Sequence, residues 1–324
     1  MIISKTPFRI SLVGGGSDLK SFYKDSPGAV VSTTIDKYIY LSAHKYFYPT
    51  QYLLKYSKTE NVDNINNIEH NIIREVFKCF KVKNIDFNST ADIPSGTGMG
   101  SSSSFTVGLI HLCSYKNGLL LPRHEIAKLA CEIEIDVLGE PIGKQDQYGC
   151  AIGGLKLIEF NSDDSVQTTP IHLNHKQSLI LNSNLLLFYT DKRRSASSVL
   201  KEQKKNTISS LKVKNNLKDL SEMAHVLFSE LSSGNIDSVG EFLDISWKKK
   251  KELATNISNP ELDNIYNTAI KNGAIGGKIL GAGGGGFFLF YVPQSKHSAV
   301  RKALNFLTEL NFNFENEGSQ IIYS

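Results

Sequence analysis

Three short glycine-rich stretches, VGGGSD at 13–18, PSGTGMGSSSS at 94–104 and GAGGGG at 281–286, most restrict how this 324-residue chain folds and what it can hold. Glycine reaches backbone conformations closed to other residues, and it lets main-chain amides approach an anion with no side chain between them. In the middle stretch glycines take alternate positions and four serines follow. A flexible linker has that composition, and so does a phosphate loop, so context has to separate them. IDFNSTADIP, just before, reads as a strand, and FTVGLIHLCSY, just after, as a buried helix whose N-terminal end lies in the serine run. That order aims free amides and the positive end of a helix dipole at one anion. Linkers do not have buried helices starting inside them. Phosphate is the expected guest.

The familiar nucleotide motifs do not account for it. GAIGGK at 273–278 has one residue too few between its glycines for a Walker A loop and is followed by Ile279. GAGGGG satisfies G-x-G-x-x-G, but it precedes the strand-like FFLFYV where a dinucleotide fingerprint opens a helix. The protein-kinase signatures H-R-D and D-F-G are absent.

At 40% hydrophobic and 21% charged residues the chain has the balance of a soluble globular protein. Its length suits two domains of roughly 100–200 residues, placed here at 1–175 and 176–324. A net charge of +4 is too mild for a nucleic-acid partner. The lysine run of SWKKKKEL, residues 248–251, reads as a solvated helix face. Cys79, Cys113, Cys131 and Cys150 lack C-x-x-C spacing, which argues against zinc or a disulfide framework and fits a reducing cytoplasm. Lys5 and Arg9 interrupt any signal-peptide core, and no stretch approaches the roughly 18 apolar residues of a membrane helix. A cytoplasmic protein without a membrane partner is expected.

Residues 2–13 and 30–43 should be strands, and 66–81 a helix with Ile68, Ile72, Val76, Phe77 and Phe80 on one face. PRHEIAKLACEIEIDVLG should be one amphipathic helix running from Pro122 to a stop at Gly139. GLKLIEF and SLILNSNLLLFYT read as strands, with the polar, turn-rich NSDDSVQTTP between them. Helices are expected over 195–202, 217–232, 236–253 and 260–272, then a strand over FFLFYV, a helix from Ser295 and a short terminal strand.

A phosphoryl group brings Mg²⁺, which prefers oxygen ligands and usually takes one or two from protein. Glu132, Glu134 and Asp136 are candidates, with a solvated acidic face as the plainer reading. Asp146, in GKQDQYG, falls where aspartate is ordinarily a turn or cap residue. Arg9 lies in an otherwise apolar strand, and an inward-facing charge needs a partner.

TPFRISLVGGGSD, then PSGTGMGSSSS with EIEIDVLG and QDQYG behind it, then KILGAGGGGFFLF resemble, in order, the three motifs of the GHMP small-molecule kinases. The likeness covers nearly the whole chain. GGGSD, QDQYG and YTDKRRSA look most like the bacterial branch acting on D-glycero-D-manno-heptose 7-phosphate, with fucokinase-type enzymes next; Asp191 stands where that last motif usually has glycine. The resemblance implies an α+β two-domain GHMP kinase fold. Its N-terminal α/β domain would be like ribosomal protein S5 domain 2 and its C-terminal α+β domain ferredoxin-like, with ATP and sugar meeting between them.

The roles it implies are as follows. Pro94, Gly96, Gly98, Gly100, Ser101, Ser102 and Ser103 form the ATP phosphate cradle. Ser102, with Ser101 its rival, and Glu134, with Glu132 as fallback, hold Mg²⁺. Asp146 is the catalytic base, and Arg9 pairs with it and balances charge on the transferred group. Gly15, Gly16, Ser17 and Asp18 bind the sugar, and Gly281, Gly283 and Gly284 close the phosphate end of the cleft. Beyond the resemblance, Arg194, aided by Arg193, is a candidate to hold a phosphate already on the sugar, because a guanidinium fork matches phosphate oxygens, with an ordinary basic surface loop as the equal alternative. The expected reaction is phosphorylation of the anomeric hydroxyl of a small sugar phosphate, giving the 1,7-bisphosphate. Two alternatives stand beside it: a kinase of an unphosphorylated sugar such as fucose or galactose, and an inactive relative that binds a nucleotide or sugar and regulates.

Overall fold

A computed structural model of the chain describes residues 1–191 and 196–324. Its strands are β1 (Ile2–Val13), β2 (Gly28–Lys45), β3 (Tyr52–Lys55), β4 (Thr59–Val62), β5 (Ile85–Ala91), β6 (Lys156–Phe160), β7 (Val166–Pro170), β8 (Leu185–Tyr189), β9 (Gly276–Ile279), β10 (Phe287–Tyr291), β11 (Thr308–Glu309), β12 (Phe314–Glu315) and β13 (Gln320–Tyr323). The helices are α1 (Lys20–Tyr23), α2 (Asn71–Cys79), α3 (Ser101–Lys116), α4 (Arg123–Cys131), α5 (Gln145–Ile152), α6 (His175–Asn184), α7 (Ala196–Ser209), α8 (Leu211–Ser232), α9 (Ser238–Lys251), α10 (Pro260–Lys271) and α11 (His297–Ala303).

The first sheet runs β13-β1-β2-β5-β3-β4, with β6 and β7 extending it from the early part of β2. Long antiparallel pairing of β1 with β2 forms its spine, from Ile2 opposite Ala43 to Val13 opposite Val31. α3 lies across both strands, and Gly108 makes the approach possible, since a Cβ there would stand 2.8 Å from Thr6 Oγ1. The helix is buried on most of its surface, as its sequence requires.

β8, β9, β10 and β11 form a second, antiparallel sheet in the order β11-β8-β10-β9. Alternation along its strands separates two cores. Leu185, Leu187, Phe287, Leu289 and Tyr291 join the core of the first sheet. Leu186, Phe188, Phe288 and Phe290 pack instead with Trp247, Leu262, Ile265 and Tyr266 of α9 and α10. Burial on both faces is why FFLFY has no polar positions, each such side chain contributing roughly 1.5–3 kcal/mol. The result is a mixed two-domain architecture whose last strands return to the beginning: β13 pairs with β1 and β12 with β2.

Three sequence expectations need correction. The first half of SLILNSNLLLFYT is helix α6, opened by a capping box in which the Asn174 side chain accepts from Gln177 N–H and the Gln177 side chain accepts from Asn174 N–H, each at 2.9 Å. That N-x-x-Q signal outweighs the apolar run. The end of NSDDSVQTTP is strand β7, hairpinned onto β6. The helix from Pro122 is not uniform: α4 ends at Cys131 and a π-helical turn, Glu132–Val137, continues to Gly139, whose φ of +69° stops it.

Candidate functional site: a two-chambered cleft

The three glycine stretches converge. Gly96, Gly98 and Gly100 have φ of +77°, +85° and +74°, so the alternate spacing reflects three left-handed residues that turn the chain into α3. A Cβ on Gly98 would lie 2.4 Å from Leu280 O, and one on Gly286 would lie 2.5 Å from Thr97 O, so the second and third loops touch backbone to backbone. α3 starts at Ser101 with no side chain capping it. The first amides of a helix lack intrahelical partners, and these border a cavity of about 830 Å³. Pro94, Gly96, Gly98, Gly100, Ser101, Ser102 and Ser103 all line it, as do Gly281 and Gly283. Gly284 does not; its N–H donates to Ile257 O at 2.8 Å. At the far end His70 stacks on Phe105 at 5.0 Å, with Tyr56 edge-on at 4.8 Å, an aromatic wall that no local motif announces.

Glu134 projects from the π-helical turn into full burial beneath the serines. Its Oε1 accepts from Ser102 Oγ at 2.7 Å, and its Oε2 accepts from Ser103 Oγ at 2.9 Å and from Gln147 Nε2 at 2.7 Å. Burial pushes this carboxyl above its ordinary range, and the hydrogen bonds from Ser102, Gln147 and Ser103 oppose that. Glu132 and Asp136 are exposed on the other side of the turn. The structure therefore brings Glu134, and neither neighbour, to the loop. Ser101 Oγ is engaged differently, accepting from Gly96 N–H at 3.4 Å.

Asp146 is not in a loop, as its sequence neighbourhood suggested; it sits in the first turn of α5. Its Oδ1 accepts from Arg9 Nε at 2.8 Å and lies 2.6 Å from Arg9 Nη2 in an ion pair. Oδ2 has no hydrogen-bond partner among the described residues. Arg9 is 2% exposed and also donates from Nη1 to Gly98 O at 2.8 Å. Gly100 and Gly149 flank its stem, each leaving only 3.3 Å between a built Cβ and Arg9 Cγ.

Arg9, Asp146 and Gly281 also border a second, smaller cavity of about 70 Å³, lined further by Gly15, Gly16 and Asp18. The ion pair thus stands where two chambers meet. Asp18 is buried, with Oδ1 accepting from Gly16 N–H at 2.9 Å and Gln145 Nε2 at 3.0 Å. Burial, and then the Asp146 charge, push its carboxyl up. Ser17 does not face the cavity: its hydroxyl donates to Gly14 O and Ala29 O and accepts from Ala29 N–H, which corrects the expectation of a substrate contact from that side chain. Arg193 and Arg194 lie outside the described residues.

Two lysines of the small chamber escape sequence reasoning. Lys250, within the supposedly solvated run, is 6% exposed; its ammonium donates to Ile279 O at 3.1 Å and to Gly281 O, holding the third glycine loop from α9. Burial, reinforced by Arg9, pulls it down to about 7. Lys278 is 2% exposed and donates to Leu12 O at 3.0 Å. The remaining lysines of the run pair with Asp244, Asp219 and Asp263.

Comparison with known proteins gives this cleft a family. Residues 66–154 match the GHMP kinases N terminal domain and residues 227–310 match the GHMP kinases C terminal model. A D-glycero-alpha-D-manno-heptose 7-phosphate kinase of Campylobacter jejuni is 32% identical, covering 97% of this chain and 97% of its own. A galactokinase of Pyrococcus furiosus is 27% identical, covering 94% and 92%. The crystal structure of a D-glycero-D-manno-heptose 1-phosphate kinase from Bacteroides thetaiotaomicron shares the fold with a TM-score of 0.82 at 24% identity, over the whole of both chains. With both family models matched in order and a relative alike along nearly its full length, the chain belongs to the GHMP kinases, phosphotransferases with an alcohol group as acceptor.

Proposed function

We propose that this chain is a sugar kinase that transfers the γ-phosphoryl group of ATP to the anomeric hydroxyl of a sugar phosphate, D-glycero-D-manno-heptose 7-phosphate, giving the 1,7-bisphosphate. The observation that carries the reaction type is the Arg9–Asp146 pair at the junction of a large, glycine-lined chamber and a small polar one. The choice of sugar is supported by the Campylobacter jejuni relative.

The larger chamber suits ATP. Its glycines leave the loop backbone bare, the open end of α3 favours negative charge, and the Tyr56, His70 and Phe105 wall suits a purine. The donor set also fits Mg²⁺: one hydroxyl, Ser102, and one carboxylate, Glu134, are the few hard oxygen ligands that ion takes beside phosphate. When bound there it would neutralise charge on the phosphate oxygens.

The chain's own groups do the rest. Asp146 keeps Oδ1 on Arg9 and offers Oδ2 to the acceptor hydroxyl, whose proton it takes as the new O–P bond forms and the bond to the ADP oxygen breaks. Arg9, held by Gly98 O, is fixed beside the group in transit. Loose phosphoryl-transfer transition states gain mainly from such positioning.

A kinase of an unphosphorylated sugar is the second reading, favoured by the small size of the acceptor chamber. The test is ADP release by the purified protein with ATP and Mg²⁺ over a panel holding heptose 7-phosphate, heptose, galactose and fucose. Preference for the heptose phosphate is expected, preference for a neutral sugar selects the second reading, and ATP binding without turnover on any acceptor points to a regulator and overturns both.

A further inference from the structure

Three polar atoms bordering the small chamber have no hydrogen-bond partner among the described residues: Gln203 Nε2, Ser11 Oγ and Gln145 Oε1. Gln203 is 3% exposed and Ser11 4% exposed. Leaving a buried donor or acceptor unpaired is costly, so such groups in a folded interior ordinarily have something to bind. These three do not face separate apolar surroundings. They share one cavity with Asp18, the Arg9–Asp146 pair and Lys250.

Their chemistry is complementary. Gln203 offers an amide N–H, Gln145 offers a carbonyl oxygen because its own Nε2 is given to Asp18, and Ser11 can donate or accept. Donors and acceptors mixed in one chamber match a polyol, whose hydroxyls each do both. Gln203 comes from α7, while Ser11, Gln145 and Asp18 come from β1, α5 and the first glycine loop. The Gln203 Nε2 sits against Gly16 of that loop. Gly16 is glycine for this reason: at φ +102°, a Cβ would stand 2.4 Å from Gln203 Nε2 and 3.1 Å from Leu217 Cδ2.

We propose that Gln203 is a specificity-determining residue that reads an acceptor hydroxyl through its side-chain amide, in the chamber it shares with Ser11 and Gln145. The inference rests on the sugar-kinase reading above and adds a residue to it. At about 70 Å³ the chamber has room for only about two waters. An acceptor reaching into so tight a chamber brings a hydroxyl within range of the Gln203 amide N–H. Because no described residue partners Nε2, losing that donor should weaken acceptor binding.

Gln203→Leu keeps the bulk and removes the donor; Gln203→Glu keeps the shape and exchanges the amide donor for an acceptor. Steady-state kinetics of both variants and wild type should be measured with ATP and Mg²⁺ on the best acceptor of the panel, with thermal melting alongside. Gln203→Leu should raise the acceptor KM about 10- to 100-fold, leave the ATP KM within about twofold and melt within a few degrees of wild type. Gln203→Glu should also raise the acceptor KM. An unchanged acceptor KM in Gln203→Leu overturns the assignment, and so does an equal rise in both KM values accompanied by a lower melting point, which marks a packing role. A wild type that turns over no member of the panel sinks the sugar-kinase reading and this inference together, so the two failures are distinct.

Discussion

Gly98→Ala tests the contact that brings the phosphate loop against the third glycine loop. At φ +85° an alanine loses about 1–2 kcal/mol to its own backbone conformation. Its Cβ would also stand 2.4 Å from Leu280 O and 2.9 Å from Leu280 C, when an ordinary carbon–oxygen approach is about 3.3–3.6 Å. Those are main-chain atoms beside β9, so relief requires the two loops to part by about 1 Å, an overpacking worth about 1–3 kcal/mol more. Gly96→Ala is the control. Its φ is +77°, yet a Cβ there meets no atom within 4 Å, so it carries the backbone term alone. Gly98→Ala should therefore destabilise by about 1–3 kcal/mol more than Gly96→Ala in denaturant unfolding. It should also lower turnover further, because Gly98 O anchors Arg9 and moves with the parted loop. If the two variants match in both stability and turnover, the loops are not held in register by this contact, and the reasoning that places Arg9 fails with it.

The other two expectations concern the ion pair and a buried lysine. Asp146→Asn should lose about 10²- to 10⁴-fold in kcat with ATP KM little changed, and a variant within a few fold of wild type removes Asp146 from the base role. Lys156 is 2% exposed, donates to Gly149 O, Gly153 O and Gly154 O, and is pulled by burial from 10.5 to about 7. The unfolded chain keeps that proton to higher pH than the folded one, so the burial penalty is full below about 7 and is relieved as pH rises toward 10.5. Wild-type stability relative to Lys156→Met should therefore climb from pH 7 to 10, by up to about 1.4 kcal/mol per pH unit, and a flat difference means the ammonium stays charged.

Several features follow from local rules alone. Alternate glycines before a serine run specify left-handed backbone at Gly96, Gly98 and Gly100, because the steric rule acts within one residue and its neighbours. The buried α3, the capped α10 and the apolar β10 follow from propensity and pattern over a few residues. An arginine in an apolar strand announces that it needs a partner. In α6, by contrast, the Asn174–Gln177 capping box competes with a strand-like apolar run and wins.

Tertiary packing decided the rest. Nothing within SWKKKKEL distinguishes Lys250 from its neighbours; only the placement of α9 on β9 turns that one ammonium onto the third glycine loop. Glu132 and Glu134 are interchangeable in EIEIDV until the π-helical turn faces one to the serines and the other to solvent. Ser17 sits beside Asp18 in a motif, but the turn directs its hydroxyl to Ala29 and away from the cavity. Gln203 carries no motif at all, and it acquires a role only when α7 closes over Gly16. Backbone conformation depends on bonds a few atoms away, and sequence encodes it directly. Which side chain is buried against which depends on surfaces that meet only in the folded chain, and that is settled when its elements pack.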